Sequence, residues 1–178
     1  MRDPRDELKL SIGAWGLSQA KAAAAAIFAQ PTKVKPLMRA LLSDDARLRM
    51  RAADTARRVT ERESGLLAPH AEAIIGTFSE SGCDDGRTRA HLGLVAARVA
   101  ASRSQRLRVA GLLMPLYYDP SNVVRCTAIE GLGMLARFEP CLRPQFGVIA
   151  EEALATGTLA MQNRAQHGLA RLHAHRRR

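Results

Sequence analysis

The sequence has few aromatic residues: one Trp, two Tyr and four Phe make up 4% of the 178 residues, although 47% are hydrophobic. The apolar content is therefore mostly Ala and Leu, which favours closely packed helices over strands. Cysteine is also scarce, and Cys83, Cys126 and Cys141 are an odd number at wide spacings. This argues against a disulfide scaffold and predicts reduced thiols in a cytosolic protein.

Long apolar runs are missing. The longest stretch of small and apolar residues, 22–29, is far shorter than the roughly 20 apolar residues that span a bilayer. The N-terminal segment carries charges of both signs and lacks the apolar core of a secretory signal. We therefore expect a cytoplasmic protein without a membrane partner. The length fits one domain of ordinary size, residues 1–178.

Acidic residues are too few to balance the basic ones. The chain has 27 Lys and Arg, of which 23 are Arg, against 17 Asp and Glu, so its formal net charge is +10 at pH 7. Such an excess predicts an acidic binding partner.

The chain contains an internal repeat. Four segments carry apolar or small residues at successive spacings of four, four and three, which places them along one face of an amphipathic helix. Their first residues are Leu48, Thr88, Val124 and Met161, separated by 40, 36 and 37 residues. Another apolar run precedes each segment, at 34–42, 66–78, 107–117 and 142–154. The pattern predicts four helix pairs over residues 32–172, a degenerate pair over 1–31 and a basic tail over 173–178.

Charged residues recur at fixed places in these repeats. Arg49, Arg89 and Arg125 follow the first apolar residue in three repeats, and Gln162 takes that place in the fourth. Asp44, Asp84 and Asp119 stand five or six residues earlier, where a helix cap is expected. We interpret these six Asp and Arg residues as structural, with each Arg bracing a turn by pairing with an Asp.

This pattern resembles the HEAT-repeat family of armadillo-like α-solenoids. The landmarks are Ser43-Asp44-Asp45, Leu48-Arg49 and Ala52-Ala53 in the first repeat, and Asp119-Pro120, Val124-Arg125 and Ala128 in the third. The resemblance covers about residues 33–172 and implies an all-α, right-handed solenoid of helix pairs. It also implies ladders between the Asp and Arg of successive repeats, and Gln162 suggests that the fourth repeat is a cap. Family membership mostly implies partner binding rather than one activity.

A second set of positions lies more than about 100° from the apolar stripe and is predicted to face solvent. These positions hold Arg47, Arg51 and Arg58 in the first repeat, Arg87, His91 and Arg98 in the second, and Arg164 and Arg171 in the fourth. The third repeat has only Val123, Thr127 and Met134 there. Because second helices line the concave side of such solenoids, this set is a candidate partner-binding ridge; the alternative is a solvated face.

Catalytic and metal-binding patterns are missing. The histidines at 70, 91 and 167 lie in different repeats, no Cys lies within four residues of another Cys or a His, and His173 and His175 stand in the basic tail. The segment Gly131-Leu132-Gly133 falls inside a predicted helix, where close packing explains it better than phosphate binding. We therefore predict no enzyme activity, cofactor, metal or small-molecule substrate.

Two functions remain, and we favour the first. It is a non-catalytic scaffold whose basic concave face binds an acidic protein segment. The alternative is binding to the phosphate backbone of a nucleic acid, for which Arg is equally suited. A HEAT-like DNA-repair enzyme ranks behind both, because no aromatic residue lies in the second helix of a clear repeat.

Overall fold

The computed structural model describes residues 17–80 and 85–176. Within these ranges every regular element is helical, without a strand, which confirms the predicted all-α class. The described α-helices are α1 (Leu17–Ala29), α2 (Val34–Leu41), α3 (Ala46–Glu63), α4 (Ala71–Glu80), α5 (Gly86–Val99), α6 (Arg103–Leu113), α7 (Asn122–Phe138), α8 (Arg143–Thr156) and α9 (Leu159–Arg176). Short 3₁₀ segments precede α2, α4 and α8, and one of five residues, Met114–Tyr118, follows α6.

Local sequence signals set several helix ends. The 3₁₀ turn Pro31–Lys33 follows α1, as expected because proline lacks the N–H that a continuing helix needs. At the start of α6, the Ser102 hydroxyl accepts a hydrogen bond from the Gln105 N–H, and the Gln105 side chain accepts one from the Ser102 N–H. This reciprocal capping box satisfies two backbone donors that a helix start leaves open.

The chain divides into two compact units, Met1–Val99 and Ala100–Arg178. In the first unit, α2 packs against α3 and α4 packs against α5, as two successive helix pairs. The second helices of the two pairs, α3 and α5, also pack side by side, and α1 packs on α3. The second unit repeats this scheme, with the pairs α6–α7 and α8–α9 and with α7 beside α9.

The core of each unit is built from the predicted apolar stripes. Leu48, Ala52, Ala56 and Val59 of α3 are all buried, as are the corresponding stripe residues of α5 and α7. Even Thr88, the least apolar stripe residue, is buried. In α9, Leu169 is half-buried while the other three stripe residues are buried. The sequence period therefore identified the inward faces correctly.

A close helix approach lies inside the second unit. A Cβ on Gly133 of α7 would come within 3.1 Å of the Phe146 ring and within 3.2 Å of the Gly168 Cα of α9. Phe146 is itself buried. Close packing is thus the reason for glycine at 133, as the sequence predicted.

Some predicted features fall outside the described residues. These are the first helix of the N-terminal pair and Asp84, and the side chains of the tail histidines are also not described. Helix α9 continues to Arg176, so the first four residues of the predicted basic tail are helical. No described helix combines the length and the apolar character needed to cross a membrane.

Candidate functional site

Helices α3 and α5 begin in the same way, with an aspartate cap. Asp45 Oδ1 accepts hydrogen bonds from the backbone N–H groups two and three residues later, at 2.9 and 3.1 Å. Asp85 does the same at 2.7 and 3.1 Å. Asp44 was predicted as the first cap and that was wrong, because the next residue, Asp45, makes the bonds.

The cap of α5 carries a stabilised negative charge. Burial acts to raise the pKa of Asp85, but hydrogen bonds from Thr88 and from the Arg87 N–H, together with the Arg87 guanidinium, outweigh it and lower the pKa. An ionised carboxylate at this position stabilises the positive end of the helix.

Arginine dominates α3 and α5. Helix α3 carries six arginines and three carboxylates, and α5 carries three arginines and no carboxylate. Arg47, Arg51 and Arg87 are exposed, as predicted. We call the predicted set on these two helices the α3–α5 basic face: Arg47, Arg51, Arg58, Arg87, His91 and Arg98.

A buried carboxylate lies where the two helices meet. Asp54 of α3 is only 8% exposed. Its Oδ1 lies 3.2 Å from Arg58 Nε and 3.5 Å from Arg57 Nη2, both on the same helix. The same oxygen lies 3.9 Å from His91 Nε2 of α5. Sequence reasoning missed Asp54, although its spacing of four from Arg58 predicts an ion pair on one helix face.

A second polar link joins the same helices. Arg98 Nη1 of α5 donates a 3.1 Å hydrogen bond to the Arg57 carbonyl of α3. Arg58, His91 and Arg98 were predicted to face solvent, but they are half-buried. The angle from the apolar stripe did not predict their burial, because α3 and α5 pack side by side and each covers part of the other.

His91 contributes little positive charge at neutral pH. Burial lowers its pKa; the Asp54 carboxylate opposes this, and the nearby Arg57 and Arg58 guanidinium groups lower the pKa further. The basic face is therefore an arginine surface with a neutral imidazole at its centre.

In the first repeat, an arginine braces the turn before α3 through a hydrogen bond to a backbone carbonyl. Arg49 Nη1 donates a 2.6 Å hydrogen bond to the Ser43 carbonyl. In the fourth repeat, the Gln162 side-chain amide takes the equivalent position and donates to the Gly157 carbonyl at 3.0 Å. Gln162 thus performs the same bracing without a charge.

Three further residues were predicted to be structural. Arg89 is half-buried at the start of α5. Asp119 was predicted to cap α7, but its Oδ1 accepts from the Ser121 N–H at 2.8 Å, and Ser121 occupies the cap position. Arg125 lies in the wall of a pocket, and its buried Nε has no hydrogen-bond partner.

The fourth-repeat members of the predicted ridge belong to the second unit. Arg164 and Arg171 are both exposed on α9. Arg164 Nε lies 3.6 Å from the Glu130 carboxylate of α7, which makes an exposed ion pair of small energetic value. In the third repeat, Thr127 was predicted to face solvent but is buried on α7, the helix that packs against α9.

One aromatic residue departs from the sequence prediction. Phe138 is the last residue of α7, a second helix, and is 59% exposed. The guanidinium carbons of Arg106 and Arg137 lie 5.8 and 5.5 Å from its ring centroid. These contacts lie within the cation–π range, so Phe138 has arginine neighbours on this surface.

A pocket of about 210 Å³ opens in the second unit, and we call it the Tyr117 pocket. Its walls come from the 3₁₀ segment after α6, the first turn of α7, the end of α8 and the start of α9. They are Tyr117, Tyr118, Arg125, Glu152, Thr156, Gly157, Thr158 and Met161. Sequence reasoning did not identify this pocket.

Tyr117 lies between two opposite charges in this pocket. Its hydroxyl forms a hydrogen bond with the Glu152 carboxylate, and Arg125 is close enough to act on it electrostatically. Burial raises the pKa of Tyr117, the negative charge of Glu152 raises it further, and Arg125 opposes both. The hydroxyl therefore stays protonated at neutral pH and donates to Glu152.

The residues described contain no group of three His, Cys, Asp or Glu side chains arranged to hold a metal ion. Cys126 is buried, and burial raises the pKa of its thiol, whereas Cys141 is exposed. Searches against protein-family models, curated proteins and solved structures found no match to this chain.

Proposed function

We propose that this protein is a non-catalytic binding module whose α3–α5 basic face recognises an acidic segment of a protein partner. The observation that supports this most directly is the exposure of Arg47, Arg51 and Arg87 on two adjacent helices that hold nine arginines against three carboxylates. A surface with such an excess of one sign attracts partners of the opposite sign.

The internal carboxylate does not remove this excess. Asp54 lies close to Arg57, Arg58 and His91. Its negative charge is therefore paired at the contact between the two helices. Of the other two carboxylates on α3, Glu61 pairs with Arg57 at 3.1 Å near the end of the helix. The first turns, which carry Arg47 and Arg87, present exposed positive charge to solvent.

A protein carboxylate suits this surface better than a nucleic acid. The planar guanidinium can bind a carboxylate through two parallel hydrogen bonds, and Arg57 and Arg58 both lie within ion-pair distance of the Asp54 carboxylate. Single-stranded nucleic acids also need aromatic side chains for base stacking. Helices α3 and α5 contain no aromatic residue.

The proposal includes the fold type. We propose that the helix pairs are HEAT-like repeats in a right-handed α-solenoid, with second helices on the concave side. Support comes from the side-by-side second helices in each unit and from the turn brace shared by Arg49 and Gln162. Small-angle scattering checks this, because an elongated, curved particle is expected and a spherical one would contradict it.

The binding experiment uses a short fluorescein-labelled polyglutamate peptide as the acidic probe. The test variant changes Arg47, Arg51 and Arg87 to Glu; all three are exposed, so the fold should survive. The control variant changes Lys21, Lys35 and Arg137 to Glu, which makes the same change in charge at exposed positions on other helices.

Wild type and control are expected to bind the peptide, and the test variant to lose binding with an unchanged circular dichroism spectrum. Equal loss in both variants would mean that net charge alone drives binding, and would refute a specific face. Duplex DNA of similar charge serves as the competing probe. Tighter binding to DNA, with affinity falling linearly on a log–log plot against salt, would favour the phosphate-backbone alternative instead.

A further inference from the structure

We propose that the Tyr117 pocket binds a small zwitterion that carries one carboxylate and one ammonium group, as a free α-amino acid does. The pocket presents a guanidinium, a helix N-terminus and a carboxylate around one small opening. This site lies within the second unit and is independent of the α3–α5 basic face.

Arg125 and the start of α9 form the positive side of the pocket. The Nε atom of Arg125 is buried without a hydrogen-bond partner, so the cation has lost hydration there without compensation. Thr158 stands directly before the 18-residue helix α9, and Met161 in the first turn of that helix lies in the same wall. Helix N-termini and guanidinium groups both favour a carboxylate.

Glu152 forms the negative side. It is exposed, so a ligand can reach it, and it accepts the hydrogen bond of the Tyr117 hydroxyl. An ionised carboxylate has about four lone-pair sites, so one bond from tyrosine leaves room for an ammonium group. Tyr117 holds this carboxylate in place within the pocket.

The size and polarity of the pocket restrict the ligand further. Its volume of about 210 Å³ is below the roughly 300–1,000 Å³ typical of sites for drug-sized compounds. Glu152 disfavours a phosphate, because a doubly charged anion would meet a like charge. Tyr118 is 74% exposed, and its ring packs edge-on against that of Tyr117 with 5.0 Å between the ring centroids. The exposed ring offers an aromatic surface to an apolar side chain of the ligand.

The test is a two-dimensional NMR titration of the ¹⁵N-labelled full chain with three probes. L-Leucine has both charged groups, 4-methylpentanoate lacks the ammonium, and 3-methylbutylamine lacks the carboxylate. We expect leucine to shift the amide signals of Gly157 and Thr158. Each analogue should bind about tenfold more weakly or worse, since a hydrogen bond to a charged group contributes on that scale.

Two variants separate the charged ends of the pocket. Arg125→Gln should weaken leucine binding about tenfold or more, by the same charged-bond scale. Glu152→Gln changes an exposed residue and should remove the preference for leucine over 4-methylpentanoate. Arg171→Gln is the matched control, because it removes an exposed arginine of α9 outside the pocket walls.

The proposal fails if leucine shifts no pocket amide in the wild-type chain, or if leucine and both analogues bind equally. It also fails if Glu152→Gln retains the full preference for leucine. That variant keeps the test decisive even if Arg125→Gln does not fold. The polyglutamate experiment can succeed or fail separately, because its variants do not touch this pocket.

Discussion

Arg49 Nη1 donates a 2.6 Å hydrogen bond to the Ser43 carbonyl, across the turn that connects α2 to α3. Gln162 closes the corresponding turn before α9 by donating to the Gly157 carbonyl. In the first and fourth repeats, the side chain at this position therefore donates to a backbone carbonyl. This explains why an uncharged glutamine replaces arginine in the fourth repeat without loss of the bond.

Arg49→Ala should lower the free energy of unfolding by about 1–3 kcal/mol, the range for a charge-assisted hydrogen bond whose carbonyl is left without its donor. Chemical denaturation measures the change. Arg47→Ala, an exposed position in the same helix, is the control and should cost no more than about 0.5 kcal/mol. Equal effects of the two variants would show that the turn does not depend on Arg49.

His91 makes the stability of the first unit depend on pH. Its pKa is lowered, chiefly by burial, from the ordinary value of 6.5. The unfolded chain therefore binds a proton at a higher pH than the folded chain does, and stability falls as the pH drops below about 6.5. The loss continues until the pH reaches the folded pKa of His91.

The check is denaturant unfolding between pH 7.5 and pH 5 for wild type and for His91→Gln. The wild type should lose more stability than the variant over this interval, because glutamine does not titrate. Parallel curves for the two proteins would show that His91 takes no part.

Glu139 is a buried carboxylate that pairs with two arginines in the second unit. Arg106 Nε lies 2.7 Å away and Arg103 Nε 3.5 Å away. Glu139→Ala should cost about 2–3 kcal/mol, less than the roughly 3–5 kcal/mol for a fully buried pair, because Arg106 stays partly exposed. The free energy of unfolding tests this value.

Arg103→Ala is the comparison for this pair, since its side chain is 72% exposed. It should cost less than about 1 kcal/mol, as exposed ion pairs do. A cost for Arg103→Ala that matches that of Glu139→Ala would overturn this ranking of the two contacts.

Periodicity predicted the helices and their buried stripes because burial of apolar side chains fixes the face that each helix turns inward. Periodicity failed to predict the exposure of side chains that a neighbouring helix covers. Arg58 of α3 and Arg98 of α5 lie at angles from the apolar stripe that predict exposure to solvent. Both side chains are nevertheless half-buried, because α3 and α5 pack against each other. Angles within one helix contain no information about its lateral neighbour.

Two other features were out of reach for different reasons. The adjacent aspartates at 44–45 both suit a cap, and the choice of Asp45 depends on the backbone angle at the helix start. The Tyr117 pocket brings together residues from four separate segments, so no local spacing encodes it. Within the second unit, only the packing of α7, α8 and α9 assembles its charges.

Gly168 of α9 provides the sharpest test of the close packing. A Cβ at this position would overlap the Cζ atom of the buried Phe146 ring and lie 3.2 Å from its Cε1. Gly168→Ala should therefore destabilise the protein by about 1–3 kcal/mol through overpacking, despite the better helix propensity of alanine. Gly111→Ala is the matched control, because Gly111 is an exposed helical glycine whose added Cβ meets nothing within 4 Å. That change should stabilise the protein by about 0.5–1 kcal/mol. Thermal unfolding of both variants measures the two effects. A higher melting temperature for Gly168→Ala would contradict the prediction. It would show that Phe146 can move aside and that the glycine contact does not limit how closely α7 and α9 approach.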